Sequence, residues 1–359
     1  MKLNDQHELI KAIVKLSVYT VYIAVIMIVC FIILIISLSD LNSPATTGTS
    51  IQAIVASTSA PVTVASAINP PAETIWQAPD TSTIPAGKQG NMIRYGRELL
   101  AHTAKYFGPK GSIAQITNGM NCQNCHLDGG VRLFANNYAV FVVNYPKMSK
   151  RSGKVEPASE RIAECFQRSL NGSVPDITSK EIKAMLAYMT WVGKDVKKGE
   201  KLFGHATEVL PYLSKPADPV KGRAVYVANC KSCHGNKGQG LPDADRKGYI
   251  YPPLWGEHSY NDGAGMGRII NFAGFVKNNM PYGSSTYRHP TLTNEEAWNV
   301  AAFVNSQPRP HIDQHNDWKK IADKPVDYPL GPYIDNFSEK QHKYGPFKPI
   351  IAAQKQTIK

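Results

Sequence analysis

Cysteine is scarce in this chain. Six in 359 residues are too few for a scaffold built on disulfides. Charged residues are also sparse, at 19%, and no block of one sign stands out as an interaction tail. The hydrophobic fraction is 43%, which excludes wholesale disorder, a polytopic membrane protein and a collagen-like repeat. Lys and Arg number 40 against 28 Asp and Glu, a formal charge of +12. That balance suits an anionic partner, but no nucleic-acid-binding motif accompanies it.

The charge is not evenly spread. Lys2, Lys11 and Lys15 cancel Asp5, Glu8 and Asp40, so the excess belongs to residues 41–359. Within the first forty residues, 16–38 form an uncharged run dense in Ile, Val and Leu. About twenty such residues cross a bilayer core as a helix. The run exceeds a signal-peptide core, and no good small-residue cleavage site follows closely. Residues 1–40 therefore read as a retained, single-pass anchor, with Cys30 a small apolar residue inside it. Three lysines precede the run, and no Lys or Arg follows until Lys88. That asymmetry puts the N-terminus in the cytoplasm and the rest in the periplasm of a bacterial inner membrane. Residues 41–85, rich in Ala, Thr, Ser and Pro, read as a flexible linker.

The remainder carries one short motif twice. Cys122-Gln-Asn-Cys125-His126 and Cys230-Lys-Ser-Cys233-His234 are both C-x-x-C-H, the c-type haem attachment pattern. Two thiols three residues apart reach the two vinyl groups of one porphyrin, and the adjacent imidazole meets the iron. Two covalent haems follow. Each motif is preceded by a helix-like stretch with a small contact residue, Gly96-Arg-Glu-Leu-Leu100 and Gly222-Arg-Ala-Val-Tyr226. Each is followed by a helix with a capping-box start: Thr178 and Glu181 before 182–192, Thr293 and Glu296 before 297–305. This looks like the class I cytochrome c fold twice over, mostly α with little strand. Domain 1 is expected over 86–210 and domain 2 over 211–310, with the joint near Pro211, Pro216 and Pro219. A Pro- and aromatic-rich tail fills 311–359.

The sixth iron ligands separate a carrier from an enzyme. In the second repeat the candidates are Met266 and Met280, and Met280, just before Pro281 in a loop ahead of the last helix, is the better placed. The first repeat has no matching Met-Pro. Met185 and Met189 fall on a helix as core, and Met148 stands in a basic loop. Cys165 is the spare cysteine. It has no disulfide partner to expect, and its cationic neighbours Arg151, Arg161 and Arg168 favour thiolate, the form that binds iron. A buried free thiol is the other reading of the residue itself.

The segment Arg161-Ile-Ala-Glu-Cys165-Phe-Gln-Arg168-Ser169-Leu-Asn171-Gly172, with Arg151-Ser-Gly before it, resembles the signature of dihaem thiosulfate dehydrogenases and tetrathionate reductases. The tail sequences Lys324-Pro-Val-Asp-Tyr-Pro-Leu-Gly-Pro-Tyr-Ile-Asp and Gln341-His-Lys-Tyr-Gly-Pro-Phe extend the likeness over about residues 90–350. The resemblance implies an active-site haem held by His126 and Cys165. It implies a substrate site of Arg151, Arg161 and Ser169, and an electron-transfer haem held by His234 and Met280. Some members carry a lysine immediately before this methionine that can exchange with it on the iron. Asn279 stands there, as in members that also run as reductases.

The implied reaction interconverts two thiosulfates and tetrathionate, with two electrons exchanged with a soluble c-type cytochrome or a membrane electron-transport chain. The rival reading is a membrane-anchored dihaem electron carrier without its own substrate. It predicts methionine at both sixth positions and leaves Cys165 without a task. Neither reading involves nucleic acid.

Overall fold

The computed structural model describes residues 75–357, with Tyr19 and Met27 as isolated helical positions. Among the described residues no helix is long and apolar enough to cross a membrane. The apolar run at 16–38 lies, but for those two positions, outside them.

Two helix pairs organise the rest. In the first half α1 (Gly87–Ala101) crosses α3 (Lys180–Val192), with α2 (Ala158–Arg168) between them in sequence. In the second half α4 (Pro219–Asn229) crosses α6 (Asn294–Ser306), with α5 (Ile269–Asn279) between. The apolar positions recur at helical spacing: Ile93, Leu99 and Leu100 on α1, and Ile182, Met185, Tyr188, Met189 and Val192 on α3 are all buried. Among the described residues, strand content is confined to two short antiparallel pairs, β1 (Lys147–Met148) with β2 (Val155–Glu156), and β3 (Leu241–Pro242) with β4 (Tyr249–Tyr251).

The same device closes both crossings. A Cβ on Gly96 would lie 1.9 Å from the Ala184 carbonyl oxygen, and one on Gly222 would lie 1.8 Å from that of Asn299. Only hydrogen fits, so the helix axes approach more closely than any larger residue permits. The starts of the later helices differ in detail. Thr293 and Glu296 form the expected reciprocal box, with bonds of 3.2 and 2.8 Å. At α3, however, the cap is Ser179, which accepts from the Ile182 N–H at 3.3 Å. Thr178 is instead drawn to Asp176, with bonds of 2.8 and 2.7 Å from its N–H and hydroxyl. Asp176 offers a carboxylate two residues away and wins the hydroxyl, while Glu181 accepts from the Tyr95 hydroxyl at 3.0 Å. At α4, Asp218 caps and Pro219 takes the first helical position.

The tail folds back on both halves. Phe347 and Ile350 of α7 (Phe347–Thr357) join the second core beside Trp298, whose ring lies 5.8 Å from that of Phe347. Asp327, fully buried, accepts from Arg268 at 2.8 and 2.5 Å and from the Ile270 N–H at 3.1 Å. Further upstream the tail reaches the first half, where the Trp318 N–H donates to the Arg151 carbonyl at 2.7 Å.

Gly96→Ala and Gly222→Ala should each destabilise the fold by about 1–3 kcal/mol through overpacking. The two contacts are separate, so the double variant should lose roughly the sum. Denaturant titration of the holoprotein followed by circular dichroism measures this; unchanged midpoints would show that the crossings tolerate a methyl group.

Candidate functional site

Each C-x-x-C-H lies on the wall of its own cavity. The first, about 450 Å³, is lined by Cys122, Cys125, His126, Tyr138 and Leu100, among others. The second, about 440 Å³, is lined by Cys230, Cys233, His234, Leu254 and Val300, among others. The residues suit a covalently held porphyrin. His126 Nδ1 lies 2.5 Å from the Asn136 carbonyl and His234 Nδ1 lies 2.8 Å from that of Pro252. Each carbonyl can only accept, so Nδ1 keeps the proton and Nε2 keeps the lone pair a metal needs. Burial pushes both imidazoles below their usual range, towards that neutral form. Burial also raises the Cys122, Cys125 and Cys230 thiols to about 12, the opposite of what a redox C-x-x-C pair requires.

The spare cysteine joins the first cavity. Arg161 and Cys165 are four apart on α2, one turn, and both line the cavity together with Ser169. The α2 register extends to Ser169, whose N–H donates to the Cys165 carbonyl at 2.9 Å. Proximity to Cys165 is the main influence that holds the Arg161 guanidinium above its ordinary range. Arg161 donates to Glu164 Oε2 at 2.7 Å.

Arg151 and Arg168 do not line the cavity. Arg151 stands behind Arg161, its Nη1 3.4 Å from the same Glu164 oxygen and its Nε 3.9 Å from Asp317. Its guanidinium carbon lies 5.7 Å from the centre of the Trp318 ring. Burial chiefly, then the neighbouring Arg161 and Arg168, push Arg151 below its usual range. Arg168 donates to Asp317 Oδ1 at 2.8 Å. The three arginines are thus one network held by Glu164 and Asp317, of which Arg161 alone reaches the cavity.

Sequence reasoning passed over several of these residues. Glu164 adjoins Cys165 and was legible as a helix neighbour. Lys147 and Tyr145 line the cavity from the β1 segment, and no spacing rule places them there. Asp317 and Trp318 come from the tail, about 150 positions from Arg168, and only the fold brings them in. His205 also lines the first cavity, with Nδ1 2.6 Å from the Leu202 carbonyl. Met148 is exposed on its hairpin and lines neither described cavity, Met185 is buried in the first core, and Met189, buried in the same core, also lines the first cavity.

In the second half, Met280 lines the cavity that contains His234. Met266 and Cys125, with Met120, border both cavities, so the two sites abut. The Met280 loop is tied to the first half. The Tyr282 hydroxyl donates to Asp128 at 2.7 Å, Arg132 lies 3.7 Å from Asp128 and 5.0 Å over the Tyr282 ring, and it donates to the Ser285 carbonyl at 3.2 Å. Asn279 is fully buried and donates to the carbonyls of Phe134 at 3.1 Å and Phe275 at 3.0 Å.

Known proteins resemble both halves of the chain. Residues 112–197 match the family described as SoxA/TsdA, cytochrome c domain, and residues 219–308 match cytochrome c. A thiosulfate dehydrogenase of Allochromatium vinosum is 39% identical over 251 residues, covering 69% of this chain and 88% of that protein. One from Stutzerimonas stutzeri is 38% identical over 240 residues, covering 66% and 74%. The "as isolated" form of the thiosulfate dehydrogenase TsdBA from Marichromatium purpuratum superposes with a TM-score of 0.60 at 32% identity. That match covers 67% of this chain and half the length of the other. With two cytochrome c domains and two covalently bound c-type haems, the chain belongs to the thiosulfate dehydrogenase family.

Proposed function

We propose that this protein interconverts two thiosulfates and tetrathionate, exchanging two electrons with a cytochrome or a membrane electron-transport chain, and that its first cavity is where the sulfur chemistry occurs. The observation that carries the reading is that Cys165, Arg161 and Ser169 line the same cavity as His126. A carrier has no use for a thiol, a guanidinium and a hydroxyl gathered at one face of that cavity.

When bound, the two haems supply a pair of one-electron redox centres. His126 and Cys165 would hold the first, and His234 and Met280 would hold the second. The chain's own residues do the rest. Two dianions have to meet, and their repulsion opposes the reaction. Arg161 holds a sulfonate by charge-assisted hydrogen bonds, and Ser169 adds a neutral donor. Arg151 supports Arg161 through the shared Glu164 carboxylate rather than by contact from inside the cavity. The Cys165 thiolate and the sulfane sulfur of one thiosulfate join in an S–S bond, and two electrons leave. The sulfane sulfur of a second thiosulfate then attacks the adduct's outer sulfane sulfur. The bond to Cys165 breaks, tetrathionate departs and the thiolate returns. The steps balance in both directions, so the same residues serve a reductase.

The run at 16–38 anchors the protein in a bacterial inner membrane in this reading, with the expected linker of residues 41–85 as tether up to Trp76 and Ile84, which pack on the first core, and the catalytic part in the periplasm. Such a tether holds the second cavity near membrane-associated electron partners.

Cys165→Gly should retain two haems per chain, measured as pyridine haemochrome, and lose thiosulfate-dependent haem reduction. Arg161→Ala should lower kcat/KM by about 10²–10³-fold, the usual cost of one oriented charge-stabilising donor. Normal reduction in Cys165→Gly would overturn this mechanism, and wild-type haems that respond to neither thiosulfate nor tetrathionate would favour the carrier.

The Met280 loop yields a separate expectation. Asp128→Ala removes the partner of both Tyr282 and Arg132. The far-red methionine–iron band and the potential of the second haem should fall, with the first haem's spectrum unchanged. An unaltered band would mean that this clamp does not position Met280.

A further inference from the structure

We infer that Lys147 forms a second anion subsite in the first cavity, one that takes the sulfonate farther from Cys165. That sulfonate belongs to the second thiosulfate or, in reverse, to the far end of tetrathionate. The inference rests on the proposed reaction and deepens it.

Four observations support the assignment. Lys147 and Arg161 are the Lys and Arg side chains that line this cavity. They differ in their counter-ions. Arg161 is already engaged by Glu164 at 2.7 Å, whereas among the described residues no carboxylate lies within ion-pair distance of Lys147. Glu156 is its partner in the β1–β2 register, but that carboxylate is buried and accepts from the Ser152 hydroxyl. What Lys147 has instead is the face of Tyr145, 4.8 Å from its ammonium, and Tyr145 also lines the cavity.

The electrostatics are consistent. Burial first, and then repulsion from Arg161, push the Lys147 ammonium below its usual range. Two cations face a common space, Glu156 and Glu164 offset their repulsion at Lys147 only in part, and an entering anion relieves the remainder. The chemistry needs such a point. Tetrathionate carries a sulfonate at each end of a four-sulfur chain. If one end is held by Arg161 and Ser169 beside Cys165, the other needs its own cation, since a second dianion cannot be held against the first without one. A lysine suits this end, because its ammonium is a mobile point charge that does not demand bidentate geometry.

Lys150 supplies an internal control. It lies three residues along the same hairpin and is exposed, as Lys147 is, but it pairs with Asp323 at 3.3 Å, outside the cavity lining.

The test uses the full-length holoenzyme and the variants Lys147→Ala, Lys147→Glu, Lys147→Arg and Lys150→Ala. Thiosulfate oxidation is followed with an artificial electron acceptor, and the potential of each haem is measured by spectropotentiometry. Lys147→Ala should raise KM for thiosulfate about 10- to 100-fold, the cost of one hydrogen bond to a charged group. Lys147→Glu should raise it further, and Lys147→Arg should restore it to within a few-fold. The haem potentials and the KM of Lys150→Ala should match wild type. Three results overturn the subsite: unchanged KM in Lys147→Ala, an equal rise in Lys150→Ala, or a shifted first-haem potential with KM intact. The last would make Lys147 a haem-propionate partner. If thiosulfate fails to reduce the wild-type haems, the proposed reaction itself falls and takes the subsite with it.

Discussion

One carboxylate joins Arg161 at the cavity wall to Arg151 behind it. Glu164 lies 2.7 Å from Arg161 and 3.4 Å from Arg151, and its neighbour in the chain is Cys165. Without it, two guanidinium groups would repel across a site whose surroundings are largely removed from water. With it, Arg161 stays fixed at the cavity wall one helical turn from the thiol. The cost is that much of the Arg161 charge is spent internally. A site meant for two dianions therefore needs positive charge that is not already paired, and Lys147 is the cavity cation that meets this condition.

The tail extends the same logic. Asp317 pairs with Arg168 and approaches Arg151, and Trp318 covers the Arg151 guanidinium. Trp318 adopts a left-handed backbone, with φ of 58°, uncommon for a bulky residue and sustained only when surrounding contacts enforce it. Those contacts are present: its N–H donates to the Arg151 carbonyl and its ring packs 5.1 Å from that of Tyr328. Since the tail is anchored in the second half by Asp327 and by α7, the second half helps to build the arginine network of the first. Asp128 and Arg132 return the relation, because they follow directly on the first haem motif and hold the loop that carries Met280. The two cavities share Met120, Cys125 and Met266 as walls, so neither half completes its site alone.

Much of this was legible beforehand. The two C-x-x-C-H motifs are local in sequence, and their chemistry depends only on spacing, so the haem sites and the doubled fold could be read directly. The crossing glycines and the Thr293 box were equally local. The misplaced cap at Thr178 shows the limit of such rules: one residue of register was decided by an Asp176 carboxylate that competed for the hydroxyl. The arginines show another. Arg151, Arg161 and Arg168 look equivalent in a list of basic residues, yet Arg161 alone lines the cavity, because α2 turns the side chain at 161 towards Cys165 and carries that at 168 to Asp317.

By itself, the amino-acid sequence determined the attachment chemistry, the helix pairs and the singular position of Cys165, because each depends on residues within a turn or two of one another. The tertiary structure alone decided which cations face the first cavity, which are neutralised behind it, and how the tail and the Met280 loop bind the halves together. Those outcomes rest on contacts between residues tens to more than a hundred positions apart. Pairing of charges there follows distance in space, which spacing along the chain does not encode.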